Sequence, residues 1–399
     1  MNTERLLIIL FLFCIISYIK EKNILNPCFI FNFIWLITLS LYELKLSHIQ
    51  QDLSDRTIFI FWVCVLCFNI TIFLLELVKF PMFRQKILKK NYAKRRYFAK
   101  YVVLWIFLLE IIYSGGFPLI WKIFGINKTY FDFGIPSLHG AWCGLVVCLG
   151  AYSLFRKTKD KWLYLGICSI VISRQIMMSI IIEGFIYALY VKNIRIRNEK
   201  FDSRKRIKGK FIIFLFAIII FVFTLIGNFR SGSAVMDRVF RAKQEYVLLS
   251  SSSKWIYSYM TFSISNFNNL VSMTQGSINN GASMLRAFLP TVVLRIFRIK
   301  PNFSYRYIVS KNYTVSTYLP DIYLDFGITG IGIFNIIMGL VGYILYKNIK
   351  KAKTTRRILL YSVYAHNIIL LFFTNFFLYL PIIIQMFYIP ILFINDNEK

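Results

Sequence analysis

The stretch RQKILKKNYAKRRYFAKYVVLWIFLLEIIYSGGFPL, residues 84–119, passes from strongly basic to apolar to glycine-rich. Eight Lys or Arg lie between Arg84 and Lys100, and the apolar run of residues 99–113 follows directly. Short loops rich in Lys and Arg lie on the cytoplasmic side of membrane proteins. The stretch therefore predicts a cytoplasmic cluster, then a helix that leads outward, then an extracytoplasmic loop that opens with GGFPL (residues 115–119).

The composition of the whole chain agrees with a membrane protein. Hydrophobic residues make up 57% of the 399 residues, aromatic residues 18%, and the mean hydropathy is +0.60. These values exceed those of soluble globular domains and predict an all-α, polytopic integral membrane protein. The formal charge of +30 falls mainly in loops between apolar runs, so topology and anionic lipid account for it, and no nucleic-acid partner is expected. The seven Cys lie in or beside apolar runs, which argues against disulfides.

The direction of each further span follows from the cytoplasmic basic cluster at residues 84–100. Apolar runs cover residues 6–19, 28–46, 58–78, 99–113, 135–155, 162–191, 211–226, 322–346, 358–373 and 376–393. Basic clusters flank both ends of 162–191, so this run is expected to enter the membrane and return. The sequence thus predicts a single membrane domain, 1–399, with about 11 transmembrane helices, the N-terminus outside and the C-terminus in the cytoplasm. Two extracytoplasmic loops are predicted, the large one at 229–320 and a second at 114–134.

The returning run places one charge inside the bundle. Two legs of about 15 residues rise ~22 Å each, which is less than a hydrocarbon core of ~30 Å. The turn is expected near Ser173, Arg174 and Gln175. Arg174 would then lie below the outer surface, and an ionisable residue at such a depth is a functional candidate.

The large loop is strongly basic. Between Arg230 and Lys311 it contains 11 Lys or Arg against only two acids, Asp237 and Glu245. Such a loop beside a membrane surface is suited to anionic groups. We predict that it shares one site with the loop at residues 114–140.

The motifs in these loops have a recognisable order. They are GGFPL (115–119), FGIP with a nearby His (133–139), an Arg in a short hairpin (174), GNFRSG (227–232), NYTVSTY (312–318) and YLDFGITG (323–330). In order and spacing, over roughly residues 100–345, they resemble the Wzy-type O-antigen or oligosaccharide repeat-unit polymerases. The resemblance implies a GT-C-like, multi-pass glycosyltransferase of the bacterial inner membrane. It also implies that undecaprenyl-diphosphate-linked oligosaccharides are joined at the outer face, alongside a chain-length regulator and a flippase of the same pathway.

Transfer from a lipid diphosphate requires cations for the leaving group. Arg offers bidentate, permanently charged donors, and Arg230 lies at a predicted membrane exit beside two glycines. Arg230 and Arg174 are the first candidates, and interfacial snorkelling is the alternative role of Arg230. Further arginines of the large loop are candidates for gripping anionic substrate or for facing headgroups: Arg286, Arg295, Arg298 and Arg306.

Transfer also requires a base for the acceptor hydroxyl. The candidates are Glu110, Asp325 and His139, with Asp321 one helical turn before Asp325. Each acid is either a general base or a structural partner of an arginine, and His139 is either a proton acceptor or an ordinary interfacial histidine. The loops contain no acidic cluster with metal-ligand spacing, so neither a metal nor another cofactor is expected.

Rings and amides alternate in the large loop in a mixture that can bind sugars or form an interfacial belt. The residues are Trp255, Tyr257, Tyr259, Phe262, Asn266, Asn268 and Asn269. Two other functions remain open. An O-antigen ligase has the same plan and a different acceptor, and a flippase or other transporter is expected to show internal repeats, which this sequence lacks.

Overall fold

The computed structural model of the chain describes residues 3–78, 93–156, 158–198, 239–289, 291–299, 307–310, 313–351 and 354–393. Within these residues the fold is all-helical without a β-strand, and an isolated bridge joins Ser47 and Ala242. Arg230, Arg306, the GNFRSG motif and the predicted span 211–226 lie outside the described residues.

The described α-helices are numbered here in chain order. They are α1 (Thr3–Glu21), α2 (Pro27–Glu43), α3 (Asp55–Leu77), α4 (Ala93–Ser114), α5 (Pro118–Ile123), α6 (Leu138–Ser153), α7 (Asp160–Val171), α8 (Arg174–Asn198), α9 (Ser251–Met273), α10 (Ala282–Phe288), α11 (Thr291–Ile296), α12 (Leu319–Lys351), α13 (Thr355–Ile369) and α14 (Leu380–Leu392). Short 3₁₀ helices occur at Tyr130–Asp132, Gln244–Tyr246 and Phe376–Leu378.

Four described helices are long and apolar enough to cross a membrane. They cover Asp55–Leu77, Lys94–Ser114, Arg174–Val191 and Leu319–Lys350. Three shorter helices are also apolar, at Pro27–Glu43, Leu138–Ser153 and Leu380–Leu392. The predicted all-α class and the transmembrane character agree with this arrangement. The figure of about 11 spans stays a prediction.

The predicted turn in the run 162–191 is confirmed. Helix α7 ends at Val171, Ile172 adopts a left-handed conformation with φ of 53°, and α8 begins at Arg174. The two legs are unequal, however, with 12 residues in α7 and 25 in α8. Residues 185–198 contain neither Gly nor Pro, so nothing in the sequence ends the second leg at half length. The membrane depth of Arg174 stays a prediction.

The chain divides into two compact units. Unit 1 contains Met1–Met82, Gly227–Tyr346 and Asn367–Leu378, and unit 2 contains Phe83–Ile226, Lys347–His366 and Tyr379–Lys399. Each unit is therefore assembled from segments that are distant in sequence, and each is described separately below.

In unit 1, α1 packs on α2 and α3, and α9 packs on α2 and α3 as well. The caps of these helices follow from the sequence, since Asn26 precedes Pro27 at the start of α2 and Ser54 and Ser250 accept amide protons at the starts of α3 and α9. Between α2 and α3, the buried amides of Asn32 and Asn69 exchange two hydrogen bonds of 2.8 and 3.0 Å. Such paired amides hold apolar helices together.

Unit 2 is organised around α6, which contacts α4, α7, α8 and α14. Nearly every residue of α6 after Ala141 is buried. A Cβ on Gly144 would lie 2.5 Å from the Pro381 carbonyl oxygen of α14, and one on Gly150 would lie 2.7 Å from the Ile180 side chain of α8. Small residues therefore allow α6 to approach two neighbouring helices closely.

Candidate functional site

The GGFPL motif reverses the chain after α4. Gly115 and Gly116 have φ of 68° and 128°, which favour glycine. A Cβ on Gly116 would lie 2.8 Å from Nε1 of the buried Trp121. Pro118 then starts α5, where its missing N–H leaves no hydrogen bond unmade. The motif thus turns the chain from α4 into the short helix α5, which contacts α7.

Hydrogen bonds converge on Ser114, the last residue of α4. The Lys128 ammonium donates to the Ser114 carbonyl oxygen at 2.9 Å, and the Gly134 amide donates to Ser114 Oγ at 3.0 Å. Thr129 and Asp132 form a capping box between these contacts. The Thr129 amide and hydroxyl donate to the Asp132 carboxylate and hold its pKa below the usual range. Two hydrogen bonds to Ser114 therefore hold the loop 114–134 to the end of α4, and the capping box stabilises the loop between them.

This loop precedes α6 and positions His139 next to Glu110. Gly134 has φ of 104°, and a Cβ there would lie 2.5 Å from the His139 ring, so only glycine lets the loop pass over the imidazole. His139 lies in the first turn of α6, and its Nδ1 is 3.0 and 3.2 Å from the two carboxylate oxygens of Glu110 on α4. Glu110 is fully buried, whereas 30% of the His139 side chain is exposed. The structure thus brings together two of the residues that the sequence singled out separately.

The geometry of this pair sets the tautomer of the histidine. A carboxylate only accepts hydrogen bonds. Nδ1 therefore carries the hydrogen and donates it to Glu110, and Nε2 presents a lone pair. The Cys143 thiol, one turn along α6, lies 3.4 Å from Nε2 and is its hydrogen-bond partner. A thiol is a weak donor. A histidine oriented by a buried carboxylate through Nδ1 is the arrangement of a general base that acts through Nε2.

Aromatic rings fix the imidazole plane. Trp142 stacks on His139 with centroids 5.5 Å apart, and Phe133 meets the ring edge-on at 5.7 Å. Trp142 is held in turn by Phe107, which stacks at 5.6 Å, and by its own Nε1, which donates to the Val103 carbonyl oxygen at 2.9 Å. The pair therefore occupies a rigid site whose shape is set by α4, α6 and the loop between them.

A second Glu–His pair lies deeper in unit 2. Glu183 of α8 and His366 of α13 are both fully buried, with Oε1 and Nδ1 3.3 Å apart. Gln385 of α14 donates to the other oxygen of Glu183, and Ser179 Oγ lies 3.3 Å from His366 Nε2. The sequence analysis did not identify this group. Glu183 is the only acid in the run 162–191 and His366 the only His, Lys, Arg, Asp or Glu in 358–373, so the argument applied to Arg174 would have found both.

Asp325 is engaged in unit 1. Helix α12 is interrupted at Gly327, which has φ of 64° and ψ of −155°. Asp325 is 2% exposed, and its carboxylate accepts the amide protons of Ser283 at 3.1 Å and Met284 at 2.8 Å, at the start of α10. This carboxylate caps a helix across 41 residues of sequence. These contacts give Asp325 a structural role within unit 1.

The aromatic and amide residues of α9 also serve the fold. Asn268 Oδ1 accepts from the Ser54 amide at 3.0 Å and the Thr57 hydroxyl at 2.8 Å, and its Nδ2 donates to the Asp52 carbonyl oxygen. Tyr259 stacks on Trp255 with centroids 5.6 Å apart. The remaining amides, of Asn266 and Asn269, donate to backbone carbonyls of residues 307–315. The hydrogen-bonding capacity of Asn268 is used internally, so we leave it out of the proposed site.

The candidate arginines that the structure describes differ in their unit and in their exposure. Arg174 is half-buried at the start of α8 in unit 2, whereas Arg286, Arg295 and Arg298 are exposed in unit 1. Arg286 lies close enough to Asp321 to interact with it electrostatically. Among the described residues, no three His, Cys, Asp or Glu side chains are grouped to hold a metal ion.

The fold and this site define an all-helical protein with apolar helices of membrane-spanning length and a buried carboxylate that orients a partly exposed histidine. No family model, no curated protein and no solved structure matches the chain. The function is therefore argued from the residues themselves.

Proposed function

We propose that this chain is an O-antigen, or surface polysaccharide, polymerase. It would join polyprenyl-diphosphate-linked oligosaccharide repeat units at the outer face of the bacterial inner membrane and release polyprenyl diphosphate. The observation that supports this proposal most strongly is the contact between Glu110 and His139, directly beneath the loop that contains GGFPL and FGIP. The order of motifs that resembles the Wzy-type polymerases supports it independently.

The pair supplies the proton acceptor that the reaction needs. The acceptor hydroxyl oxygen attacks the anomeric carbon of the donor, the bond from that carbon to the diphosphate oxygen breaks, and the hydroxyl proton passes to Nε2 of His139. Glu110 holds the ring in position and stabilises the imidazolium that forms. The hydroxyl replaces the Cys143 thiol as the partner of Nε2, since the thiol is the weaker hydrogen-bonding group.

His139 is a better candidate base than the two acids. Asp325 already accepts two backbone amide protons and is only 2% exposed, so a substrate hydroxyl has little access to its carboxylate. Glu110 is fully buried and reaches the surface only through His139. This division assigns catalysis to His139, positioning to Glu110, and a structural role to Asp325.

The departing diphosphate requires cations. Arg230 and Arg174 are proposed for this role on the sequence argument, because a guanidinium offers two parallel donors to phosphate oxygens. The proposal also includes the fuller topology, with about 11 spans, a GT-C-like arrangement, and the loops 114–134 and 229–320 outside the cytoplasm. The residues of both loops would then be accessible to lipid-linked substrates on that side.

Surface polysaccharide from a deletion strain tests the proposal. The strain is complemented with wild-type protein, with His139→Asn, or with His48→Asn, an exposed histidine that serves as the matched control. We expect His139→Asn to insert normally and yield lipid A core capped by a single repeat, while the control restores long chains. Uncapped core with accumulated polymer would identify a ligase. Loss of lipid-linked repeat units from the outer face would identify a transporter.

A further inference from the structure

Residues 276–289 and 291–299, called the segment 276–299 below, form an unusual surface in unit 1. They contain α10, α11 and their flanking turns, with three arginines, Arg286, Arg295 and Arg298, and no Asp or Glu. The three arginines are exposed. Five large apolar side chains of the same segment are exposed as well: Ile278 (43%), Leu285 (45%), Phe288 (54%), Ile296 (69%) and Phe297 (70%). A surface in water would not be expected to combine cations and bulky apolar groups in this way, whereas a membrane interface accommodates both.

The segment is fixed at a defined level of α12. The break at Gly327 leaves carbonyl groups of the first turns of α12 without their usual helical partners. The Ser277 amide donates to the Tyr323 carbonyl oxygen at 3.0 Å, and the Asn279 amide donates to that of Leu324 at 2.9 Å. Asp325 then caps α10. Three successive residues of α12 therefore anchor the start of the segment.

Other contacts hold the same junction. The Arg56 guanidinium of α3 donates to the Gln275 carbonyl oxygen at 2.8 Å and lies 5.8 Å from the ring centroid of Tyr323. A Cβ on Gly276, which has φ of 81°, would lie 2.9 Å from the Tyr323 carbonyl oxygen. The backbone at Gly276 thus passes against α12 with no space for a side chain.

The segment is anchored near one end of a candidate membrane span. Helix α12 is one of the four helices long enough to cross a membrane, and it begins at Leu319. Tyr323 to Asp325 lie four to six residues further on, which is ~6–9 Å along the helix axis. Interfacial helices lie at the ends of spans, with their apolar faces ~5–10 Å below the headgroups. A segment anchored within two turns of the end of a span is suitably placed for such an interface.

We propose that the segment 276–299 lies in the membrane interface and binds the headgroups of anionic phospholipids. Phe288, Ile296 and Phe297 enter the acyl region, while Arg295 and Arg298 contact lipid phosphates. Anionic lipid is the occupant that fits, because the segment itself has three arginines and no acidic residue, with Arg286 near Asp321 of α12, and because it has an apolar component that a free phosphate ion would leave exposed. This inference is independent of the proposed polymerase activity.

Depth is measured with a fluorophore at position 297. In a background without native cysteines, Phe297→Cys and Gln244→Cys are labelled with an environment-sensitive dye, and the full chain is placed in nanodiscs with brominated acyl chains. Gln244 is exposed and lies in a polar 3₁₀ helix of the same unit, so it is the control. We expect strong quenching at 297 and little at 244. Equal, weak quenching at both positions would overturn the proposal.

Headgroup binding is measured with phosphatidylglycerol added to the detergent-solubilised full chain, with phosphatidylcholine as the neutral comparison. The variant is Arg295→Gln with Arg298→Asn, and the control is Arg241→Asn. Arg241 and Arg298 are both exposed and have similar positive φ, 48° and 53°. Asparagine tolerates this left-handed conformation, so the backbone effect of the substitution is the same at both positions. Two arginines at a membrane surface predict a roughly 30-fold loss of affinity. Unchanged affinity would refute headgroup binding, and an arginine dependence seen only with polyprenyl diphosphate would reassign the surface to the donor lipid.

Discussion

Replacing Glu110 with glutamine removes the charge behind His139 and keeps the shape of the side chain. Both carboxylate oxygens lie within 3.2 Å of Nδ1, so the glutamine oxygen can still accept the Nδ1 proton. The neutral tautomer is thereby retained. What is lost is the attraction between the carboxylate and the imidazolium that forms when Nε2 takes a proton. Glu110→Gln therefore tests the positioning role without removing the base.

The size of the effect follows from the distance. Two unit charges 3.0 Å apart interact by ~5 kcal/mol at an effective dielectric constant of about 20. Full loss of that term would slow transfer by roughly 10³- to 10⁴-fold, at the upper end of the range for general-base catalysis. We expect polymer from Glu110→Gln to fall by at least ~100-fold, with single-repeat product remaining.

A double-mutant cycle separates this role from simple destabilisation. Polymer formation is compared in Glu110→Gln, His139→Asn and the double variant, after normalising to the amount of protein inserted. If the two residues act as one unit, the double variant is no worse than His139→Asn alone. Independent effects that multiply, or long chains from Glu110→Gln at wild-type yield, would refute the reasoning.

The remaining predictions address neighbouring claims. Asp325→Ala leaves two buried amides without an acceptor and should destabilise the detergent-solubilised protein by ~2–4 kcal/mol, measured by unfolding, whereas Asp52→Asn at an exposed ion pair should have little effect. Cys143→Ala should retain polymer because the thiol only occupies Nε2; loss of activity would make sulfur part of the chemistry. Polymerisation by purified protein should persist in EDTA, and a strict Mg²⁺ requirement would count against arginine at the diphosphate. Arg230→Lys and Arg174→Lys should each lose most polymer because lysine lacks the planar fork, by ~30- to 1000-fold; wild-type chain length in both would return these residues to the scaffold.

Local features of this chain could be predicted from its sequence. The turn before Arg174 followed from basic residues on both sides of one apolar run, and the glycines of GGFPL and FGIP stand where the backbone has positive φ. Glu110 and His139 were each identified by residue type and by position near a loop. These predictions depend only on residues that are close together in the sequence.

Long-range contacts could not be predicted. The pairing of Glu110 with His139 requires α4 and α6 to pack at one register, and the capping of α10 by Asp325 joins residues more than 40 positions apart. The rings and amides of the large loop were expected to bind sugars or to form an interfacial belt, yet the central part of the loop forms α9, which packs on α2 and α3. Helical periodicity shows which side chains share a face, but it does not show which helix covers that face.

The two Glu–His pairs of unit 2 differ in their exposure to solvent. The Ser179 hydroxyl lies 3.0 Å from the Gln175 carbonyl oxygen and 3.3 Å from Nε2 of His366. Nε2 of His366 therefore already has a polar neighbour inside the helix bundle. Glu183, His366 and Gln385 are all sealed from solvent, and their contacts join α8, α13 and α14, as buried polar groups do between apolar helices. In the pair at the loop, by contrast, the carboxylate is fully buried and the imidazole is 30% exposed, as our proposal requires of a group that takes a proton from a bound substrate. The same two residue types therefore join helices at one position and are suited to accept a proton at the other.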